Sequence, residues 1–322
     1  MKRKLKTWIA AIAFGVASVG GALAQSGYPD RPIKWIVPFP AGGSADAVPR
    51  MIAQRLSPKY NIVIENRTGA SGNIGADAVA KAAADGYTFL ASTPAPIVVN
   101  RYLYKSVPYA ADAFAPITVF GRAPIVLVVR KNLPVNSLAE FIAYARTNPG
   151  KVTVANQGMG TTSHLASIQL ASLANIKLSD IPYRGSAPAM TDLMSGQVDA
   201  FFDVLTSARP MYESAAVKIL AVSGERRAVN VPLIATFAEQ GVPDFTVSTW
   251  FALLAPKGLA VDIATRVHAD VIAVLKTPDV LEQLRKMDVE PAGLGQAESV
   301  RFIELERGRW KAIAEAANVK LD

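Results

Sequence analysis

The chain contains no cysteine. Disulfides are therefore excluded, as are thiolate metal centres, cysteine nucleophiles and a lipid-bearing N-terminal cysteine. Histidine is nearly as scarce: His164 and His268 lie far apart in sequence, which excludes a histidine-rich metal site. No Gly-x-Ser-x-Gly elbow occurs. The one tempting hydrolase pair, Ser163 and His164, occupies adjacent positions that a helix points in different directions. A secreted hydrolase is thus a rival without support, and neither a metal nor a cofactor is expected. Beyond the N-terminus there is no second long apolar run, so the mature chain is expected to be soluble.

What remains is ordinary for a folded protein: 322 residues, 51% hydrophobic and 19% charged, enough for two domains with proper cores. The N-terminus carries an address. Lys2, Arg3, Lys4 and Lys6 precede an apolar run from Trp8 to Val19 that is too short to cross a bilayer, and Ala22-Leu23-Ala24 follows as a small-x-small cleavage site. Residues 1–24 are expected to be a signal peptide, with the mature chain starting at Gln25 in the periplasm. Removing those four basic residues takes the formal charge from +8 to +4. The basicity is thus partly the signal's own, and nucleic acid loses its support as a partner.

The most informative stretch is Trp35-Ile-Val-Pro-Phe-Pro-Ala-Gly-Gly-Ser-Ala-Asp46. Ile36 and Val37 suit a buried strand end. The prolines and the Gly42-Gly43 pair stop regular structure, and Val48, Ile52 and Leu56 then recur at helical spacing. With Ser44 or Asp46 as N-cap, Pro49 falls in or near the first helical turn, where a missing N–H is cheap. The amides of Gly43, Ser44 and Ala45 are then free to meet an anion at a positive helix end. Taken alone, this is only a strand-to-helix turn.

The module recurs. Val152-Thr-Val-Ala155 leads through Asn156-Gln-Gly-Met-Gly160 to a helix starting near Thr161-Thr162-Ser163. Leu178 to Tyr183 leads through Arg184-Gly-Ser-Ala-Pro188 to a helix with Ser186 as N-cap, Met190, Leu193 and Met194 inward, and Gly196 as stop. A fourth glycine loop, Asn66 to Gly75, lacks the Gly-x-Gly opening of a dinucleotide site and reads as a structural turn. Strands are expected at Tyr87 to Ala91 (with Thr93 just past its end), Phe114 to Arg130, Val198 to Phe202 (ending at Asp203), Ile219 to Ser223 and Val247 to Leu254, followed by a mostly helical C-terminal part. Such alternation implies an α/β fold with mostly parallel sheets flanked by helices, the loops lying at the carboxyl ends of strands.

Three such loops in two α/β units suggest helix starts facing one anion across a cleft. Phe39 would be an apolar wall. Asp46 reads as a cap or water-holding group, and His164 as either a loop-holder or a ligand contact. Arg184 is an exposed loop residue or a clamp for a second carboxylate. Asp203 either holds loop amides or meets a ligand's amine or hydroxyl. Trp250 and Phe251 read as core.

These motifs, with Tyr28-Pro-x-Arg-Pro-Ile33, Glu65-Asn-Arg67, Gly72-Asn-Ile-Gly-Ala76, Asp85-Gly-Tyr-Thr88, Gly160-Thr-Thr-Ser-His-Leu165, Pro182-Tyr-Arg-Gly-Ser-Ala-Pro-Ala189, Gly196-Gln-Val-Asp199 and Ala255-Pro256, span the mature chain. The chain resembles the Bug family, the periplasmic solute-binding receptors of tripartite tricarboxylate transporters. The resemblance implies a two-lobe Venus-flytrap of the type II periplasmic-binding class. Lobe one would comprise residues 25–121 and 222–322, and lobe two residues 122–221. It also implies a monomeric receptor, not an enzyme, that captures a small organic acid and delivers it to a membrane permease. The ligand set carried over is Phe39, Ala41, Gly42, Gly43, Ser44, Asp46 and Thr93 from the first lobe, and Gly160, Thr161, His164, Gly185, Ser186, Ala187 and Asp203 from the second. A sensor presenting its closed form to a membrane kinase shares this fold and stays open as an alternative.

Overall fold

Alternation of strand and helix carries through into three dimensions. The computed structural model describes residues 27–317 and 320–321, so the expected signal peptide lies outside the described residues. Residues 27–30 are bends, and regular structure belongs to the body that begins at Arg31. The first part of the chain forms β1 (Ile33–Val37), α1 (Ser44–Leu56), β2 (Ile62–Asn66), α2 (Asn73–Ala80), β3 (Thr88–Ser92) and α3 (Asn100–Leu103). A long strand β4 (Phe114–Arg130) follows. Next come α4 (Leu138–Thr147), β5 (Thr153–Asn156), α5 (Thr162–Ala174), β6 (Ser179–Pro182), α6 (Ser186–Ser195), β7 (Ala200–Val204), α7 (Leu205–Glu213) and β8 (Val217–Val222). The chain closes with β9 (Ser248–Pro256), α8 (Val261–Leu275), α9 (Pro278–Lys286), β10 (Glu290–Pro291) and α10 (Gln296–Ala317).

Strand pairing shows how these elements divide. β1 lies parallel to both β2 and β3, and β5 lies parallel to both β6 and β7. These are the strands that feed the glycine loops, so the loops do leave from strand carboxyl ends. Antiparallel pairings that the alternation did not reveal then tie the units together. β9 sits between β3 and β4, pairing with β4 as far as Pro124, and from Ile125 onward the same β4 runs between β7 and β8. β4 is thus one continuous strand shared by two sheets. Its register shifts near Pro116 and Gly121, positions where proline removes a ladder donor and glycine allows a bend. At Gly121 a Cβ would meet the Glu290 carbonyl oxygen at 2.6 Å, so only glycine lets β10 approach this closely.

Each sheet has its own core. Trp35 stacks on Phe120 at 6.0 Å on one side; Phe202, Phe237 and Phe245 form a stack on the other. Trp250 and Phe251 are core, as expected, each 1% exposed. The Trp250 and Trp310 indole N–H groups both donate to the buried Glu306 carboxylate, at 2.9 and 3.0 Å, which fixes α10 against β9. In α6, Met190 and Leu193 are buried, but Met194 lies 42% exposed in the last turn before Gly196, the left-handed stop.

Candidate functional site

The carboxyl end of β1 opens into the loop Pro38 to Gly43, and the helix it feeds starts one residue earlier than expected. Gly43, not Ser44 or Asp46, is the N-cap of α1, which leaves Pro49 inside the helix rather than in its first turn. The reason lies in Asp46. Its carboxylate, 3% exposed, turns back to accept from the Gly42 N–H (3.3 Å), from Asn66 Nδ2 (2.9 Å) and from Arg50 through Nε (3.0 Å) and Nη2 (2.6 Å). Burial pushes this carboxyl's pKa up, but the bonds from Arg50, Asn66 and Gly42 outweigh it and the net direction is down. Asn66 Nδ2 also donates to the Phe39 carbonyl at 2.9 Å. Asp46 and Asn66 therefore hold the loop's shape, and the Ser44 and Ala45 amides, which precede the first bonds from Asp46 and Ala47 to the Gly43 carbonyl, receive no side-chain cap.

The second lobe answers with α6. Its N-cap is Gly185, again one residue before the serine expected there. Gly185 has φ +105° and ψ −178°, a conformation open to glycine alone, and a Cβ on it would lie 3.3 Å from Pro40 Cγ across the crevice. Ser186 does not cap because its hydroxyl has a better partner, the Asp203 carboxylate, at 2.6 Å to either oxygen. Asp203 is fully buried and also accepts from Gln157 Nε2 (2.5 Å) and the Val204 N–H (2.8 Å). Burial without any cationic partner pushes its pKa up to about 7, against the pull of those three hydrogen bonds.

The starts of α1 and α6 face each other. A Cβ built on Gly43 would lie 3.9 Å from Ser186 Cβ, ordinary van der Waals contact. The crevice between them is lined by Phe39, Pro40, Ala41, Gly43, Ser44 and Ala45 on one side and by Gln157, Arg184, Gly185, Ser186, Ala187 and Pro188 on the other. It is narrow, with a cavity volume of about 40 Å³. Beside it the lobes touch directly. The Ser71 and Tyr104 hydroxyls both donate to the Met159 carbonyl, the latter at 3.4 Å.

Seven of the expected residues thus meet in one place: Phe39, Ala41, Gly43, Ser44, Gly185, Ser186 and Ala187. Asp46 and Asp203, both buried, stand behind them, and Gly42 is exposed in the first loop and is not among the lining residues. Gly160, Thr161 and His164 form a separate cluster at the start of α5. There Thr161 is the N-cap and His164 Nδ1 accepts from the Gly160 N–H at 3.1 Å. Burial drives the His164 pKa down to about 4, so the ring is neutral as that bond requires. A Cβ on Gly160 would press on Leu103 at 3.1 Å, away from the crevice lining. Thr93, half-buried just past β3, is not among the lining residues either. Pro40, Gln157 and Pro188 are lining residues that sequence reasoning did not name as contacts, and Gln157 is the polar one of the three. Its signal was its place: a long amide directly before Gly158, at the carboxyl end of β5, equivalent to the position from which the first loop leaves β1.

Ser163, half of the tempting hydrolase pair, is 1% exposed and donates to the Phe202 carbonyl, so it offers no nucleophile to solvent. Among the described residues no group of three acidic or histidine side chains could hold a metal, and no helix is long and apolar enough to cross a membrane.

Comparison with known proteins agrees with this architecture. The family model for the tripartite tricarboxylate transporter family receptor matches residues 48–319. The chain belongs to that family. Protein BugT of Bordetella pertussis is 34% identical over 96% of this chain and 96% of its own length. The Rhodopseudomonas palustris protein Rpa4515, solved with adipate, superposes with a TM-score of 0.88 at 36% identity, covering 91% of this chain and 99% of that one. MatC of Rhodopseudomonas palustris, solved with bound malate, gives 0.85 at 29% identity over 89% and 100%. The chain is therefore a binding receptor of the periplasmic solute-binding type, with a two-lobe α/β fold, and not an enzyme.

Proposed function

We propose that this receptor captures a small organic mono- or dicarboxylate between the starts of α1 and α6 and delivers it, chemically intact, to a membrane permease. The observation that carries this is the meeting of two positive helix ends at Gly43 and Ser186, with amides on both sides and no unpaired acid in the lining. The magnitudes suffice without a buried arginine. A micromolar complex needs roughly 8 kcal/mol. Charge-assisted hydrogen bonds supply about 1.5–3 kcal/mol each, and each helix end adds about 0.3–1 kcal/mol. Adipate and malate in the two Rhodopseudomonas proteins are ligands of that chemistry.

The crevice as it stands is too narrow for such a guest, so loading requires the lobes to part. The expected division of the chain finds support in β4, which changes sheets at Pro124–Ile125, close to the expected crossing at 121–122. For the return crossing, the pairing favours a point near Val247 over 222, because Thr236 still pairs with Val222 and Phe245 still stacks on Phe202. These two crossings are the hinge in this reading. Export follows from the N-terminal segment, with residues 1–24 removed, and the receptor works in the periplasm as a monomer.

Calorimetry of the mature chain against adipate, malate, succinate, benzoate, glucose and putrescine tests the reading. Heat from one or more acids and none from the sugar or the amine is expected, and the acid should be recovered unaltered. Heat from the sugar or the amine alone would overturn it.

A further inference from the structure

Two acids stand behind the crevice: Asp46 is paired with Arg50, whereas Asp203 has surroundings unusual for a carboxylate. It is fully buried and meets only uncharged donors: Ser186, Gln157 and the Val204 N–H. Ser186 and Gln157 both line the crevice, so a single hydroxyl or amide separates Asp203 from whatever lies there.

The charged groups on neighbouring elements do not neutralise it. On β4, Arg130 pairs with Asp199, and Arg122 lies beyond the switch to the other sheet, over Phe302. On α7, Arg209 pairs with Asp288 and Glu213; on α6, Asp192 accepts from the Tyr183 hydroxyl. His164 on α5 is neutral and held by Gly160, β5 carries no titratable side chain, and Arg184 is exposed on the crevice rim. None of these contributes to the upward shift of Asp203, which is set by burial against its three hydrogen bonds.

Resting on the reading of the crevice as an anion site, we propose that Asp203 takes up one proton when a carboxylate binds, so that the receptor loads an anion and a proton together. Two effects point the same way. A bound carboxylate facing the Ser186 side chain repels a second negative charge just behind it through a region that excludes water, which favours the protonated acid. The hydrogen bonding also changes hands. While Asp203 is ionised it draws the Ser186 hydroxyl hydrogen inward, away from the ligand. Once protonated, its own O–H donates to Ser186 Oγ, and the serine hydrogen is released toward the ligand's carboxylate. The proton comes from solvent, and no covalent bond in the ligand changes.

Adipate is a suitable probe because its carboxyls ionise near the side-chain value of about 4.3 and stay charged above pH 6.5. With the carboxyl of the free receptor titrating at about 7, one-proton linkage makes adipate binding about tenfold weaker at pH 8 than at pH 6. Calorimetric enthalpies at pH 8 should differ between phosphate and Tris by close to the difference in the two buffers' ionisation heats per adipate, and the difference should shrink severalfold by pH 6.5, where adipate is still charged. Asp203→Asn presents a permanent neutral donor to Ser186, so its affinity should be flat from pH 6 to pH 8.5. Carbon-13 NMR of the ligand-free wild type adds a readout that needs no variant: one carboxyl titrating near 7, shifted upward by adipate.

Buffer-independent enthalpies at pH 8, or an unchanged pH slope in Asp203→Asn, would overturn the proton linkage while leaving the anion site standing. Absence of binding by any acid at any pH would remove the anion site and this inference with it.

Discussion

The start of α6 allows a prediction that separates backbone strain from closure. In Gly185→Ala the new Cβ must accept φ +105° and ψ −178°, a region in which non-glycine residues cost about 1–3 kcal/mol. That strain is internal to the second lobe and acts whether the lobes are together or apart. The new Cβ also lies 3.3 Å from Pro40 Cγ, a contact that exists only when the lobes meet. Forcing a few tenths of an ångström of retreat there costs on the order of 1 kcal/mol, the low end for overpacking. Differential scanning calorimetry should therefore show a fall in Tm of about 2–6 °C, at roughly 2 °C per kcal/mol for a chain of this size. Titration calorimetry should show a further loss of about fivefold in carboxylate affinity, since 1.4 kcal/mol is tenfold. Gly43 is the control. Its φ of −84° suits any residue, and a Cβ there is only in ordinary contact with Ser186. Gly43→Ala should thus change Tm by under about 2 °C, for a helix N-cap at which alanine is somewhat worse than glycine. Gly43→Trp should fill the crevice and abolish binding with Tm equally little changed. Unaltered Tm and affinity in Gly185→Ala, or normal binding by Gly43→Trp, would refute the placement of these two helix starts.

Three further outcomes follow from the same contacts. The His164 pKa is depressed from 6.5 to about 4, so its contribution is present above 6.5 and is lost as pH falls toward 4, by roughly 3 kcal/mol at 1.36 kcal/mol per unit. Asp203 is raised from 3.8 to about 7, so its contribution runs the other way, strongest at acid pH and lost as pH rises to 7, by roughly 4 kcal/mol. In a Tm–pH series the Asp203→Asn variant should therefore lose stability from pH 6.5 to 4 more steeply than wild type, and His164→Gln less steeply; parallel curves would contradict both assignments. Arg184→Ala, which removes an exposed cation from the crevice rim, should weaken adipate roughly tenfold, at the lower end of charge-assisted bonding, and benzoate little, as read by calorimetry. Ser71→Ala removes the hydroxyl that donates to Met159, worth about 1 kcal/mol, and should enlarge the ligand-free radius of gyration in small-angle scattering as the lobes separate more often.

What the sequence disclosed, and what it hid, follows from the range of the interactions involved. Strand, glycine loop and helix lie within a dozen residues of one another, so all three modules could be read from hydrophobic periodicity and turn chemistry alone. The cap of α4 is equally local: the Ser137 hydroxyl accepts from the Glu140 N–H, three residues away, at 3.2 Å. Ser186 looks identical on paper and behaves differently, because Asp203, seventeen residues on, competes for its hydroxyl. The helix then starts from Gly185, and the serine becomes a relay between a buried acid and the crevice. Asp46 repeats the pattern with Asn66 and Arg50, which pull it from a capping role into holding the first loop. β4 was visible as one long apolar tract, yet its sharing between two sheets depends on β7, β8 and β9, strands about 70 to 140 positions away that no local pattern reports. Both serine and aspartate departures place a side chain behind an N-terminal glycine rather than on the helix end itself. That leaves the amides of both helix starts uncovered, which is the condition for a guest, rather than the protein's own side chains, to satisfy them.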